Sequence, residues 1–230
     1  MMDEANSKLS LREQAYREVK GRILAGKLKL GAVLSPRKIG EELKMSFLPV
    51  WEALRLLEAE GLVESKDRVG TRVKVPTVED IEGLCMVREA LESQAARLAA
   101  VKATCAERKK LLRMARQVDK KYAGRKLSEK QRSAAGLYHA TFHRYVTECS
   151  HCKALLQATE STNVYVLKIL FEGVLKQKLR PARFHENYAE AILSGNAETA
   201  DRAAREHLAY GVREWLTLAA EFEPKHRWRN

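Results

Sequence analysis

The sequence of 230 residues lacks the features that mark membrane, secreted and low-complexity proteins. No apolar run approaches the ~18 residues that span a bilayer. The first ten residues, MMDEANSKLS, have neither the basic n-region nor the apolar h-region of a secretory signal. Low-complexity tracts and repeats of about 20 to 50 residues are also absent. We therefore expect a cytoplasmic protein that does not enter a membrane.

Cysteine is scarce, and common catalytic motifs are missing. The four cysteines lie in helical patterns rather than in a loop framework, which favours reduced thiols: Cys85, Cys105, Cys149 and Cys152. Cys149 and Cys152 have C-x-x-C spacing, but the sequence has neither a second pair for a zinc ribbon nor a βαβ pattern for a thioredoxin site. Glycine-rich phosphate loops and G-x-S-x-G elbows do not occur. These absences predict that the protein is not an enzyme.

The charge balance is strongly basic. Lysine and arginine number 42 against 30 aspartates and glutamates, so the formal net charge is +12 and the pI about 9.6. Each phosphate that a basic protein neutralises releases counterions, which favours a polyanion over an acidic small molecule as partner. Nucleic acid and an anionic membrane surface both fit this charge. The length allows two domains.

The most informative stretch is residues 35–63, where two short helical patterns meet at a turn. Ile39 and Leu43 recur at helical spacing in the first pattern, and a three-residue turn follows. Ser46 is a suitable N-cap, and Pro49 fits the first helical turn, where its missing N–H costs nothing. The second pattern has one apolar face, formed by Val50, Leu54, Leu57 and Leu62. Together these features predict a helix-turn-helix.

The flanking segments complete a winged helix. A helix is predicted from Leu11 to Leu24 by its apolar spacing. Two short strands, residues 61–65 and 71–75, enclose a basic tip that contains glycine. Three helices and a two-stranded wing make a winged helix-turn-helix. The break at Pro76 ends this domain, which we assign to residues 1–76.

The run from Leu11 to Val75 resembles the DNA-binding domain of the GntR family of bacterial transcriptional regulators. The most specific matching runs are Ala25-Gly26-Lys27-Leu28, Glu52-Ala53-Leu54 and Leu57-Glu58-Ala59-Glu60-Gly61-Leu62-Val63. The resemblance implies a homodimer that binds a double-stranded DNA operator, with the segment from Ser46 onward in the major groove and the wing near the backbone or minor groove. It places these residues at the DNA: Arg37, Lys38, Ser46, Phe47, Trp51, Arg55, Arg68, Gly70 and Arg72.

The recognition segment departs from the family pattern. Phe47 and Trp51 stand where the family carries arginines that reach phosphates and guanine edges, and Leu48 adds a third apolar residue. Arg37, which the family also carries, keeps phosphate anchoring available. Phe47 could pack on thymine methyl groups, which would favour A·T-rich edges. An exposed Phe-Leu-Trp tip is equally typical of a protein-contact patch, and the sequence leaves both uses open.

The rest of the chain, residues 77–230, predicts an all-helical second domain. Thr77 and Asp80 form a capping signature at its start. Apolar spacing is helical in residues 81–98, 111–118, 135–146, 155–175, 184–193 and 197–218, with breaks at Gly124, Ser150, Pro181 and Gly195. This half resembles the helical ligand-binding FCD domain of the FadR subfamily, through the run Val87-Arg88-Glu89-Ala90-Leu91-Glu92.

Four of the six histidines fall on inward helix faces. His139 and His143 are four residues apart and share the core face of one helix, while His185 and His207 align with apolar residues of two later helices. A buried neutral histidine needs partners for both ring nitrogens, so four of them require a hydrogen-bond network or a metal. An all-imidazole shell suits zinc, nickel, cobalt or copper better than manganese or magnesium, and zinc or nickel is the expected ion.

The FCD resemblance also predicts a metal site at these histidines. Metal-binding members place an acidic residue and a histidine four apart on one helix, then one histidine on each of two later helices. His143, His185 and His207 match those positions, whereas His139 stands where an aspartate is usual. In such domains the metal lies beside a cavity for a small carboxylate effector. Arg88 could hold that carboxylate in a bidentate pair, and a structural salt bridge is its alternative role.

These features predict a transcriptional regulator, and the resemblance favours a repressor that the effector releases. The alternative is a metal-binding helical bundle, or an enzyme, whose winged helix serves protein contacts instead of DNA. A paired base and nucleophile beside the histidines would favour the enzyme, and the sequence contains none.

Overall fold

The computed structural model describes residues 9–123, 127–162 and 181–222. Its backbone contacts divide the chain into two compact units, Met1–Val75 and Pro76–Asn230. The first unit contains α1 (Leu11–Leu24), β1 (Val33–Leu34), α2 (Pro36–Leu43), α3 (Phe47–Ala59), β2 (Val63–Lys66) and β3 (Gly70–Val73). The second contains α4 (Val78–Lys102), α5 (Cys105–Tyr122), α6 (Glu129–Cys149), α7 (Lys153–Ser161), α8 (Phe184–Leu193) and α9 (Ala197–Phe222).

The first unit is held together by the packing of α1 on α3. α1 begins at a capping box in which Ser10 Oγ accepts a hydrogen bond from the Glu13 N–H, and the Glu13 carboxylate accepts one from the Ser10 N–H. The buried residues of the two helices follow helical spacing: Ala15, Val19, Ile23, Val50, Ala53, Leu54 and Leu57. Each large apolar side chain buried in this way contributes about 1.5–3 kcal/mol to folding.

The turn between α2 and α3 depends on a glycine. Lys44 adopts the left-handed conformation at φ 55°, and the Met45 N–H donates to the Gly40 carbonyl at 2.8 Å. A Cβ atom at Gly40 would lie 2.8 Å from the Met45 carbonyl oxygen, which belongs to the backbone and cannot move aside. Ser46 occupies the N-cap position of α3, as expected, but its side chain makes no capping hydrogen bond.

The small sheet has three antiparallel strands in the order β1-β3-β2. Val63 pairs with Val73 in the predicted hairpin, and Val33 pairs with Arg72 on the other edge of β3. The sequence predicts only the hairpin and treats the β1 segment as a connector. A strand of two residues is too short to show alternation, and only its pairing with the distant β3 defines it.

The second unit is a helical bundle in which α4 packs along α9. α6 contacts α4 and α5, and α8 contacts α4, α5 and α9. α4 begins at the predicted cap, where Thr77 Oγ1 accepts from the Asp80 N–H at 3.0 Å. The predicted helix over residues 155–175 is observed as α7, and the part beyond residue 162 lies outside the described residues, as does Gly124. Within the described ranges, no helix is long and apolar enough to cross a membrane.

The fold class expected from the sequence is confirmed. A winged helix-turn-helix of three helices and a small sheet precedes an all-α bundle. The predicted metal ligands lie on three of these helices, α6, α8 and α9, and α8 contacts α9.

Replacement of Gly40 by alanine tests the turn. We expect Gly40→Ala to destabilise the first unit by about 1–2 kcal/mol, because the new methyl group meets the Met45 carbonyl oxygen. Gly21→Ala is the matched control: Gly21 is a helical glycine with nothing within 4 Å of its added Cβ, so alanine there should be neutral or stabilising by up to about 1 kcal/mol. Thermal unfolding by circular dichroism, with hydrogen exchange of α2 and α3, measures both. Equal stability of the two variants would contradict this account.

Candidate metal centre and nucleic-acid interface

The four predicted histidines meet in the core of the second unit. His139 and His143 lie one turn apart on α6, His185 is the second residue of α8, and His207 lies on α9. All four are buried, with exposed fractions of 4%, 0%, 0% and 7% in that order. Helical geometry fixes the first two locally, and the tertiary arrangement of the bundle brings His185 and His207 to them.

The Nε2 atoms of the four rings point at one another. His139 Nε2 lies 3.0 Å from His143 Nε2 and 2.8 Å from His185 Nε2. His207 Nε2 lies 3.3 Å from His143 Nε2. One nitrogen from each ring falls within 4.8 Å of the others. For Zn–N bonds of about 2.0–2.1 Å, a tetrahedral site separates its nitrogens by about 3.4 Å, so the cluster has nearly the dimensions of a four-histidine metal site.

Two carboxylates behind the rings fix their tautomers. His143 Nδ1 lies 2.5 Å from Glu92 Oε2, and His185 Nδ1 lies 2.6 Å from Asp119 Oδ1. An ionised carboxylate only accepts hydrogen bonds, so each Nδ1 carries a proton, and in the neutral ring Nε2 then presents a lone pair to the cluster. His139 Nε2 faces both of these lone pairs and can donate a proton to only one of them. A metal cation satisfies all of these nitrogens together.

Neither carboxylate was predicted from the sequence. Glu92 lies on α4, 51 residues before His143, and Asp119 lies on α5, 66 residues before His185. The one available signal was a glutamate on the alanine-rich buried face of α4, since glutamate is almost never fully buried without a partner. Asp119 follows the buried Val118 and gave no local signal.

Asp119 also starts the helix that carries His185. The N-cap residue of α8, Arg183, makes no side-chain hydrogen bond to the backbone N–H groups of the first turn. Asp119 instead accepts hydrogen bonds from the backbone N–H groups of His185 and Glu186, each at 3.0 Å. Burial alone would raise the pKa of the Asp119 carboxyl, but the hydrogen bonds from the side chain and backbone of His185 hold that pKa below its usual range. The aspartate is therefore charged at neutral pH.

Arg88 is buried at 5% exposure and joins the same network. Its Nε donates to Glu92 Oε1 at 2.7 Å, so Glu92 bridges Arg88 and His143. The guanidinium carbon also lies 5.1 Å from the ring centre of Trp215. Arg88 therefore has the structural salt bridge that was its alternative role.

Arg88 also lines a cavity of about 370 Å³ between α4 and α9. Glu82, Glu89 and Leu208 contribute to its wall, so its charge is mixed. Cys85 lines the same cavity. Burial raises the pKa of its thiol, and the positive charge of Arg88 offsets only part of that rise. The cavity has the size of a small-molecule site.

Most of the predicted DNA-contacting residues are exposed on the first unit. Arg37 and Lys38 are exposed near the start of α2, Phe47 and Trp51 in the first turns of α3, Arg68 in the hairpin turn and Gly70 at the start of β3. Trp51, Arg55, Arg68, Gly70 and Arg37 line an open groove of about 970 Å³ between α3 and the hairpin. Two of the predicted residues are ion-paired: Arg55 with Glu58 at 2.8 Å, and Arg72, which is 9% exposed, with Glu64 at 2.7 Å.

Comparison with known protein families agrees with both units. Residues 11–73 match the family described as bacterial regulatory proteins, gntR family, and residues 83–210 match the FCD domain. The chain belongs to the GntR family of bacterial regulatory proteins. The FCD domain agrees with its assignment to the FadR subfamily. Because these families and the relatives below are transcriptional regulators, the prediction that the chain is not an enzyme is confirmed.

Several relatives of this GntR regulator align over most of its length. The "Probable D-xylose utilization operon transcriptional repressor" of Paenarthrobacter nicotinovorans is 32% identical over 190 residues, which are 81% of this chain and 80% of the relative. The Glc operon transcriptional activator of Escherichia coli (strain K12) is 28% identical over 212 residues, 81% of each chain. A crystal structure of a GntR regulator from Rhodococcus sp. RHA1 has a TM-score of 0.72 at 22% identity, covering 90% of this chain and 97% of that one, and shares the fold.

Removal of Glu92 tests the buried network of this GntR regulator. We expect Glu92→Ala to destabilise the second unit by about 3–5 kcal/mol, because it takes away the carboxylate that Arg88 and His143 both contact in the core. Glu160→Ala is the control, since its pair with Arg144 is solvent-exposed and worth at most about 1 kcal/mol. Urea unfolding of the full chain compares them. A Glu92→Ala loss no larger than that of Glu160→Ala would refute the network.

Proposed function

We propose that the protein is a cytoplasmic, homodimeric transcriptional regulator whose winged helices bind a pseudo-palindromic DNA operator and whose helical unit binds a divalent transition metal and a small carboxylate effector. Membership of the GntR family, the FCD domain and the basic charge of +12 support this proposal. Effector binding regulates the operator by favouring one geometry of the paired winged helices over another.

One observation carries the metal part of the proposal. Four buried Nε2 atoms converge, and two of them belong to rings whose Nδ1 atoms contact carboxylates, Glu92 and Asp119. In a purely hydrogen-bonded core each acceptor lone pair would face a donor, whereas here several Nε2 acceptors face one another. His139, His143, His185 and His207 would hold the ion, and their nitrogen donors favour zinc or nickel. When bound, such an ion supplies a Lewis acid that can accept a carboxylate oxygen.

The effector part of the proposal rests on Arg88. Its guanidinium lines the cavity between α4 and α9 and is tied through Glu92 to His143. A carboxylate held by this arginine would therefore alter the hydrogen bonding of a proposed metal ligand. The acidic wall residues Glu82 and Glu89 favour a small effector that approaches Arg88 without contacting them.

For the direction of regulation, we favour repression that the effector relieves. The relative that is 32% identical is named a repressor, whereas the one that is 28% identical is named an activator. The alternative function is a metal-binding helical protein whose winged helix serves protein contacts, and the exposed apolar residues of α3 are the observation that favours it. Binding of the purified protein to duplex DNA from a random library distinguishes the two.

Metal content provides the direct test of the histidine cluster. Protein purified from metal-replete medium should contain about one transition-metal ion per chain, measured by elemental analysis. His143→Ala should lose the ion, whereas His151→Ala should retain it, because His151 is solvent-exposed, contacts Glu107 and lies outside the cluster. Far-UV circular dichroism checks that both variants fold. Metal-free parent protein, or equal metal in the two variants, would rule the site out.

Substitution of Arg88 tests the effector assignment. Arg88→Lys keeps the positive charge but loses the planar fork of donors, so we expect affinity for a stabilising carboxylate to fall roughly tenfold, about the contribution of one charged hydrogen bond. A panel of small carboxylates, screened by thermal stabilisation of the metal-loaded protein, identifies the probe. Arg97→Lys is the control, since Arg97 is a more exposed arginine of the same helix that pairs with Glu198. Unchanged affinity in Arg88→Lys would exclude this role.

A further inference from the structure

We propose that the first turns of α3 recognise the 5-methyl groups of thymine in the major groove, so that the protein prefers A·T-rich operator half-sites. The residues that carry this preference are Phe47, Leu48 and Trp51, which we call the apolar tip. The inference rests on the DNA binding proposed above and adds to it the chemical feature of DNA that is recognised.

The apolar tip lies outside the buried core of the first unit. Phe47, Leu48 and Trp51 are 49%, 58% and 44% exposed. The adjoining face of the same helix carries the buried residues Val50, Ala53, Leu54 and Leu57. Three large apolar side chains within five residues leave an exposed apolar patch, which is typical of a surface that a partner covers.

The surroundings of the apolar tip favour a polyanion as that partner. Arg37, Lys38 and Arg68 are exposed, and none of the ion pairs among the described residues involves them. Trp51 shares its groove with Arg37 and Arg68, so apolar and cationic side chains face the same space. A phosphate backbone would meet the cations while the bases meet the apolar residues.

The chemistry of the major groove then selects the base. Phenylalanine and leucine cannot form hydrogen bonds with base edges, and the thymine methyl is the apolar group that the four bases present in this groove. A G·C pair at the same position would place its acceptors and its amino group against apolar surface and remove them from water without a partner. The apolar tip therefore favours methyl-bearing bases and disfavours G·C pairs.

Four synthetic duplexes of equal length separate the methyl group from the rest of the base. They contain alternating A·T, alternating A·U, alternating G·C, and alternating G·C with 5-methylcytosine. Fluorescence anisotropy at one fixed, low salt concentration gives the affinity of the full-length protein for each. We expect A·T to bind more tightly than A·U, and the 5-methylcytosine duplex more tightly than G·C, by about threefold to fivefold for each methyl group contacted.

Variants of α3 assign the effect to the apolar tip. Phe47→Ala should bring the ratio of methylated to unmethylated affinity close to one, and Trp51→Ala should reduce it. Leu56→Ala is the matched control, because Leu56 is also an exposed apolar residue of α3 but lies about 130° around the helix from the apolar tip. Its methyl preference should equal that of the parent.

Three outcomes overturn the inference. Tight binding to all four duplexes with no methyl preference would reject it and leave DNA binding intact. Binding to none of them would reject both this inference and the proposed DNA-binding function. Self-association in sedimentation velocity that Phe47→Ala abolishes, without methyl preference in the parent, would assign the apolar tip to a contact between copies of the chain.

Discussion

The hydrogen bonds from two buried histidines to two carboxylates define the chemistry of the helical unit. Glu92 and Asp119 accept hydrogen bonds from the Nδ1–H groups of His143 and His185, so the Nε2 lone pairs of both neutral rings point into the cluster. Lone pairs at such short separations repel unless a proton or a cation lies between them. The orientation of the rings, more than their number, therefore gives the cluster the character of a metal site.

The same contacts tie the site to the stability of the bundle. Asp119 accepts hydrogen bonds from two backbone N–H groups at the start of α8 and also orients the ring of His185. One carboxylate therefore both caps a helix and positions a proposed metal ligand. Glu92 links Arg88 on α4 to His143 on α6. Because buried charges are costly without partners, the packing of these helices and the geometry of the cluster depend on each other. A ligand that engages Arg88 would act on both.

In the first unit, stability and recognition lie on separate faces of one helix. The buried side of α3 packs against α1, and Gly40 allows the close turn that sets the angle between α2 and α3. The solvent side carries Phe47, Leu48 and Trp51, which lie outside the buried core. Substitutions on the exposed face can therefore change what the unit binds without changing how it folds.

The sequence by itself determined the helical periods, the helix-turn-helix and the inward placement of His139 and His143, because residues four apart on a helix share a face. The strand β1 and the partners Glu92 and Asp119 were decided only by the tertiary structure. A strand of two residues exists through its pairing with β3, and the two carboxylates reach histidines 51 and 66 residues away along the chain. Local spacing carries no record of such long-range contacts, which only strand pairing and helix packing create.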